Sequence, residues 1–406
     1  MLQKLSFSII ICQIICIFSL QAQNSAQTYA FQGNSYEKIN GDWHQQNNGK
    51  KYKVINNKLA IQFSDSTTKN QIKSIQNQFG LTKIYKDPNN WFFYKFTPKP
   101  NLSIFDKANN VKSNNKVDKV IISSYGRLNA TPNDSHYGQQ WFLNYTTSSI
   151  NVEKAWDYQK GSPDIEVAIL DAGIDMDHED LNKNILSYPK VYDFIGNDNI
   201  PEASGEHGTF IGGLIAAETD NNQGSAGIAG GWNSNDGCKL QVYKISEGYY
   251  DVYPTEINHA IYTATNNNAD IINMSLEVVG YDYIKDAIEY AYNRGITIIA
   301  SSGKGGHDQL DFPASSPYVI GISGHTYDTH DNMTRNSNSN YGKKLWLSAP
   351  GEIIFSTLNN DDYSIYTKNG GNSWASGIVS GVVALMKSEN PCLGPEQVKN
   401  ILANTA

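Results

Sequence analysis

Apolar positions change their spacing several times along this chain, and each change predicts a different element. Residues 5–20 are an almost unbroken apolar run after Lys4, closed by the polar and small residues Gln21-Ala22-Gln23. Residues 24–50 are polar, rich in Asn, Gln and Gly and without a period, which predicts no firm structure. From Lys58 to Phe63 apolar and polar positions alternate as in a strand, and Ile72, Ile75 and Phe79 then recur at helical spacing within 69–79. A strand over 91–96, a weaker helix over 102–109 and a strand over 117–122 complete a small α+β unit. Pro132, Asn133 and Asp134 mark 129–137 as an exposed boundary.

Beyond Trp141 the pattern alternates between two kinds of segment. Short β-branched runs at 166–170, 239–245, 271–274, 296–300 and 319–323 read as strands buried on both faces. Helical stretches at 207–217, 253–266 and 281–294 lie between them. The alternation predicts an α/β fold: a mostly parallel sheet with helices on both faces. Ligands in such sheets bind beyond the carboxyl ends of the strands, where Asp171 falls.

Composition narrows the function classes. The chain has 406 residues, enough for two folded domains. Its net charge of −8 and the lack of basic runs argue against a nucleic-acid partner. The apolar run at 5–20 is short for a spanning helix, so residues 1–22 are expected to be a signal peptide. The mature protein is then secreted, periplasmic or on the cell surface, without stable membrane association. Cys12 and Cys16 leave with that segment, and Cys238 and Cys392 alone make neither a disulfide-dense scaffold nor a thiolate metal site. Their spacing does not settle whether they pair.

Three glycine-marked segments carry the candidate chemistry. Val167-Ala168-Ile169-Leu170-Asp171-Ala172-Gly173 supplies an acid, Gly205-Glu206-His207-Gly208-Thr209 an imidazole, and Gly370-Gly371-Asn372-Ser373-Trp374-Ala375 a hydroxyl. The chain order Asp, His, Ser is one solution for acyl-transfer catalysis. Ser373 would attack a carbonyl, His207 would take and return the proton, and Asp171 would fix the imidazole tautomer. Taken singly, each residue also reads as an ordinary helix cap or surface group.

These segments resemble the subtilisin-like (subtilase) serine peptidases. Gln140-Trp141, Ala155-Trp156, Ile174-Asp175, His178-Glu179-Asp180-Leu181, Asn273-Met274-Ser275-Leu276, Phe312-Pro313-Ala314, Ser339-Asn340-Tyr341-Gly342 and Ser348-Ala349-Pro350-Gly351 extend the resemblance over most of 137–406. It implies a secreted serine endopeptidase made as a zymogen: signal peptide 1–22, propeptide-like region 24–135, peptidase domain 136–406. The partners implied are a peptide or protein substrate and the chain's own propeptide, as intramolecular chaperone and inhibitor. Because the chain stops at Ala406, soon after a helix from Pro395, where relatives usually continue, the expectation is either a C-terminally truncated fragment or a shortened domain.

The sequence also departs from the family pattern. In the stretch Ser301-Ser302-Gly303-Lys304, Lys304 stands where the family has an oxyanion-binding Asn, a donor worth roughly 10²–10³-fold in turnover. Ser275-Leu276-Glu277 lines the expected substrate pocket, with Glu277 where a glycine leaves room for the substrate side chain. An ion pair between Glu277 and Lys304 across the pocket is expected, and an open Glu277 would favour basic residues. Asn372 brings an amide beside the oxyanion, and Trp374 replaces a Met. Lys304 and Glu277 sustain a rival reading, a catalytically impaired relative that binds peptides or proteins through the same cleft. The resemblance further implies a structural calcium ion at Asp180 and Asn221, because hard cations take oxygen ligands from acids and tight loops. His325, Asp328, His330 and Asp331 read as a solvated loop.

Overall fold

The computed structural model describes residues 27–39, 42–47, 50–99, 102–125, 131–144, 148–248, 251–327, 332–366 and 371–406. The expected signal peptide with Cys12 and Cys16, Asn129 of the expected boundary, Asp328, His330, Asp331 and Gly370 lie outside the described residues. The chain divides into two compact units, Met1–Leu128 and Asn129–Ala406.

Among its described residues, the first unit is an antiparallel sheet with two helices. Its strands are β1 (Thr28–Phe31), β2 (Asn34–Ile39), β3 (Asp42–Asn47), β4 (Lys50–Phe63), β5 (Thr82–Lys86), β6 (Trp91–Lys95) and β7 (Val117–Ser124). They lie in the order β1-β2-β3-β4-β6-β5, with β7 also on β4. Helix α1 (Lys69–Phe79) starts at a Thr68–Gln71 capping box, and α2 (Ile104–Lys112) at a Ser103–Asp106 box, each satisfying otherwise unpaired N–H groups. Leu59, Ile61, Tyr94, Phe105, Val120 and Ile122 form the core. The stretch expected to lack firm structure contains β1 to β3. Polar strands carry it because aromatic residues at wide intervals reach the core: Phe31 and Tyr36 are buried, and Tyr29 and Trp43 pack on Phe105 with ring centroids 4.3 and 4.8 Å apart.

The second unit carries the α/β pattern. Its sheet contains β8 (Glu166–Asp171), β9 (Val191–Asp193), β10 (Lys239–Lys244), β11 (Ile271–Met274), β12 (Thr297–Ser301), β13 (Val319–Tyr327), β14 (Met333–Arg335) and β15 (Leu347–Pro350). The order is β14-β13-β12-β11-β8-β10-β9, with β15 also on β13. Each pairing is parallel except β13 with β14. Strand β8 shows why such strands read as continuous apolar runs. Val167 and Ile169 enter the core shared with α3 (His207–Ala216) and α6 (Gly371–Glu389), while Ala168 and Leu170 enter the one shared with α4 (Pro254–Asn266) and α5 (Asp282–Tyr292). Each such fully buried aliphatic side chain is worth about 1.5–3 kcal/mol, so both faces must be covered. The unit also contains a hairpin of β16 (Ile354–Leu358) and β17 (Asp362–Tyr366) and a helix α7 (Pro395–Thr405). Cys238 and Cys392 are not joined in a disulfide. Among the described residues no helix is long and apolar enough to cross a membrane.

Candidate active site

Three elements end at one cleft. Asp171 is the last residue of β8, His207 the first of α3, and Ser373 lies in the first turn of α6. All three line a cleft of about 490 Å³. His207 Nδ1 lies 2.9 and 2.8 Å from the Asp171 carboxylate oxygens, so it carries the proton and Nε2 is left to accept one. Gly208 makes this approach possible. A Cβ there would come within 2.0 Å of the Gly173 carbonyl oxygen and 3.3 Å of Asp171 Cβ.

A ladder of hydroxyls seats the serine. Ser275 Oγ donates to Asn273 Oδ1 at 2.9 Å and shares a 2.8 Å hydrogen bond with Ser376 Oγ, while Ser376 Oγ also lies 2.9 Å from the Ser373 carbonyl. Asn273 Nδ2 donates to Ser380 Oγ at 3.0 Å, tying β11 to the next turn of α6. The Ser275 side chain is therefore a buried strut beneath Ser373, and its carbonyl accepts from Ser373 Oγ at 3.3 Å. The backbone N–H groups in the first turn of α6 lack helical partners, which makes this end of the helix a seat for developing negative charge.

Several expected pocket residues take other roles. Asn372 reaches the cleft, but its amide does not serve the oxyanion: Nδ2 donates to the Gly303 carbonyl, and Oδ1 accepts from the Gly324 N–H at 2.8 Å and from Ser339 Oγ. It braces the loop after β12 against α6. Gly303 holds a positive φ of 89°, which glycine adopts without strain, and Lys304 follows it as an exposed residue lining the cleft. Leu276 and Glu277 line the same cleft. Among the described residues Glu277 and Lys304 form no ion pair. The Glu277 carboxyl has both Asp311 and the Lys304 main chain as neighbours, and desolvation followed by the Asp311 charge raises it above its ordinary value against the opposing pull of Lys304.

Trp374 gains a part the sequence did not suggest. Its indole packs on the His207 imidazole with centroids 5.1 Å apart, held from behind by Phe210 at 4.2 Å and Tyr366 at 5.3 Å. The imidazole is thereby fixed on one face by an aromatic wall and on its Nδ1 edge by Asp171.

The candidate cation site contains a residue the sequence reading placed on an exposed boundary. Asp134 is buried, accepts from the Asp220 N–H at 2.8 Å through Oδ2, and leaves a buried Oδ1 without a partner. Asp180 is fully buried and accepts from the Ser225 N–H at 2.9 Å and Asn221 Nδ2 at 2.8 Å. Burial pushes Asp134 up to about 7 and Asp180 up to about 8, costs that a bound cation would offset. Gly224 closes the loop against Asp180: a Cβ there would come within 2.3 Å of Oδ2. Asn221 Oδ1 accepts from the Gln223 N–H at 2.9 Å while its Nδ2 faces Asp180, so its amide braces the loop against the buried acid. A pair of buried carboxylates with an orphaned oxygen fits a hard cation. His325, expected in a solvated loop, is buried in β13 between Ser348 Oγ at 3.0 Å and the Ser148 carbonyl at 3.1 Å.

Fold and site together define an α/β protein that gathers an acid, an imidazole and a hydroxyl beyond the carboxyl ends of a parallel sheet. The model of the subtilase family (Peptidase_S8) matches residues 162–406, and the chain belongs to that family. It is 34% identical to the "Thermophilic serine proteinase" of Bacillus sp. (strain AK1), over 64% of this chain and 60% of that protein. It is 33% identical to the "Halolysin-like extracellular serine protease Nep" of Natrialba magadii, over 70% of this chain and 51% of that protein. The chain thus spans just over half the length of these curated relatives. Among solved structures, a protease from Pseudoalteromonas arctica PAMC 21717 superposes with a TM-score of 0.59 at 26% identity, covering 68% of this chain and 93% of that one.

Proposed function

We propose that this chain is a secreted serine endopeptidase that hydrolyses peptide bonds through an acyl-enzyme on Ser373. The observation that carries the reading is the convergence of Asp171, His207 and Ser373 in one cleft, with the imidazole already held by the acid. The Ser373 hydroxyl turns from the Ser275 carbonyl towards His207 Nε2, gives up its proton there and attacks the substrate carbonyl. The imidazolium, stabilised by Asp171, returns the proton to the leaving amine, and water then frees the acyl group by the same route. Negative charge on the carbonyl oxygen faces the N–H groups of the first turn of α6, with the Lys304 ammonium at the rim in place of a fixed amide.

Residues 24–135 act as a propeptide, as chaperone and inhibitor of the domain in 136–406, and residues 1–22 as the signal peptide. The extracellular character of the Natrialba magadii relative supports export. A calcium ion would be held by the Asp180 and Asp134 carboxylates beside the loop that carries Asn221, and would stabilise the fold without entering the reaction.

A fluorophosphonate probe tests the catalytic reading. Purified full-length protein is expected to be labelled on Ser373, and Ser373→Ala and His207→Ala are expected to lose labelling. Unlabelled wild-type protein that cleaves no peptide would defeat the proposal.

A further inference from the structure

The segment after β11 lays an acid beside a second acid. The Val278 N–H donates to the Phe312 carbonyl at 2.9 Å, which sets Glu277 alongside Asp311, and the charge of the second acid is felt by the first. Asp311 is clamped in place. Its N–H donates to the Ser302 carbonyl at 3.0 Å, and its Oδ2 accepts from Asn340 Nδ2 at 2.8 Å. Its carboxylate lies so close to Gly303 that a Cβ there would come within 1.9 Å of Oδ2. Glycine at 303 is thus what lets the acid lie directly behind a residue that lines the cleft.

The pair lies close to the reacting hydroxyl. Ser373 Oγ donates to the carbonyl of Ser275, two residues before Glu277, and Ser301 Oγ donates to the Leu276 carbonyl across the cleft. The charged groups facing Glu277 are Asp311 and Lys304, so two carboxyl groups stand against one ammonium. Two acids at this spacing share a proton or take up a cation between them. Leu276, next to Glu277 in the same lining, offers an apolar face along which the stem of a long basic side chain can lie. Paired carboxylates suit the planar, multidonor guanidinium better than a point ammonium.

We propose that Glu277 and Asp311 form an anionic pocket that selects a basic side chain, arginine ahead of lysine, on the acyl side of the scissile bond. The proposal names a substrate class for the peptidase reading and rests on it.

The test compares kcat/KM of the full-length protein on matched fluorogenic tetrapeptides ending in Arg, Lys or Leu. Arg is expected to exceed Leu by tenfold or more, roughly the scale of one charge-assisted contact. Glu277→Gln and Asp311→Asn are each expected to reduce that ratio by about tenfold, chiefly through KM. Leu cleaved as fast as Arg, or a ratio that Glu277→Gln leaves unchanged, would overturn the pocket while leaving the peptidase intact. Protein that neither cleaves nor labels would defeat the peptidase reading instead, and the pocket is then read by thermal shift with benzamidine. A rise in Tm that Glu277→Gln abolishes supports the anionic pocket, and no rise overturns it.

Discussion

At the scale of single residues, neighbours decide what a side chain does, and His325 shows it. The Ser148 carbonyl can only accept, so Nε2 carries a ring proton, while the Ser348 hydroxyl beside Nδ1 can donate to the neutral ring. Burial lowers its pKa against the opposing pull of that carbonyl. With the folded value below an unfolded value of about 6.5, His325 contributes stability above that pH and loses it as the pH falls through the window below it. Tm is therefore expected to fall on acidification from pH 7.5 to 5.5 more steeply in the wild type than in His325→Gln, measured by scanning calorimetry. Parallel curves would remove His325 from the acid response. Glu277 makes the same point: its charge was legible in the sequence, but Asp311 as its neighbour was not, because Asp311 comes from the separate loop after β12.

At the scale of elements, the triad is a set of endings. A strand stops at Asp171, and helices start at His207 and immediately before Ser373. Backbone termini fix side-chain origins more tightly than loops do, and this rigidity is what acyl transfer requires. Gly208 is the point at which two of these endings touch. Gly208→Ala is expected to push the start of α3 away from β8 and to lower the rate of Ser373 labelling by about 10²-fold, the cost of misplacing a reacting group by about 1 Å. Gly138→Ala is the control, since a Cβ there meets nothing within 4 Å. Equal labelling in both variants would show that the approach at Gly208 does not set the geometry.

At the scale of the whole molecule, stability depends on groups brought together from distant stretches. Asp134 and Asp180 come from different segments, and both face the Asp220–Ser225 loop. If a cation joins them, chelation removes a ligand bound only by the folded state, worth about 2.7 kcal/mol at a hundredfold excess over Kd. For a domain of this size that corresponds to a fall in Tm of roughly 5–10 °C, and Asp134→Asn is expected to abolish the difference between calcium and chelator. Identical melts of wild-type protein with calcium and with chelator would remove the cation from the account.

The sequence by itself determined the α/β class, because strands buried on both faces must be apolar throughout, as Val167 to Leu170 are. It also marked Asp171, His207 and Ser373, because each lies in a glycine-rich turn whose spacing is local. What tertiary structure decided depends on approach between distant segments. The sheet formed by polar strands before Lys50 rests on four scattered aromatic residues meeting Phe105 and its neighbours. The role of Asn372 follows from Gly303 and Gly324 lying against α6, the aromatic wall behind His207 from Phe210 and Tyr366 meeting Trp374, and the placing of Asp311 beside Glu277 from the Val278–Phe312 hydrogen bond. Periodicity reports which face of an element is buried, and only packing decides which residue of another element is waiting there.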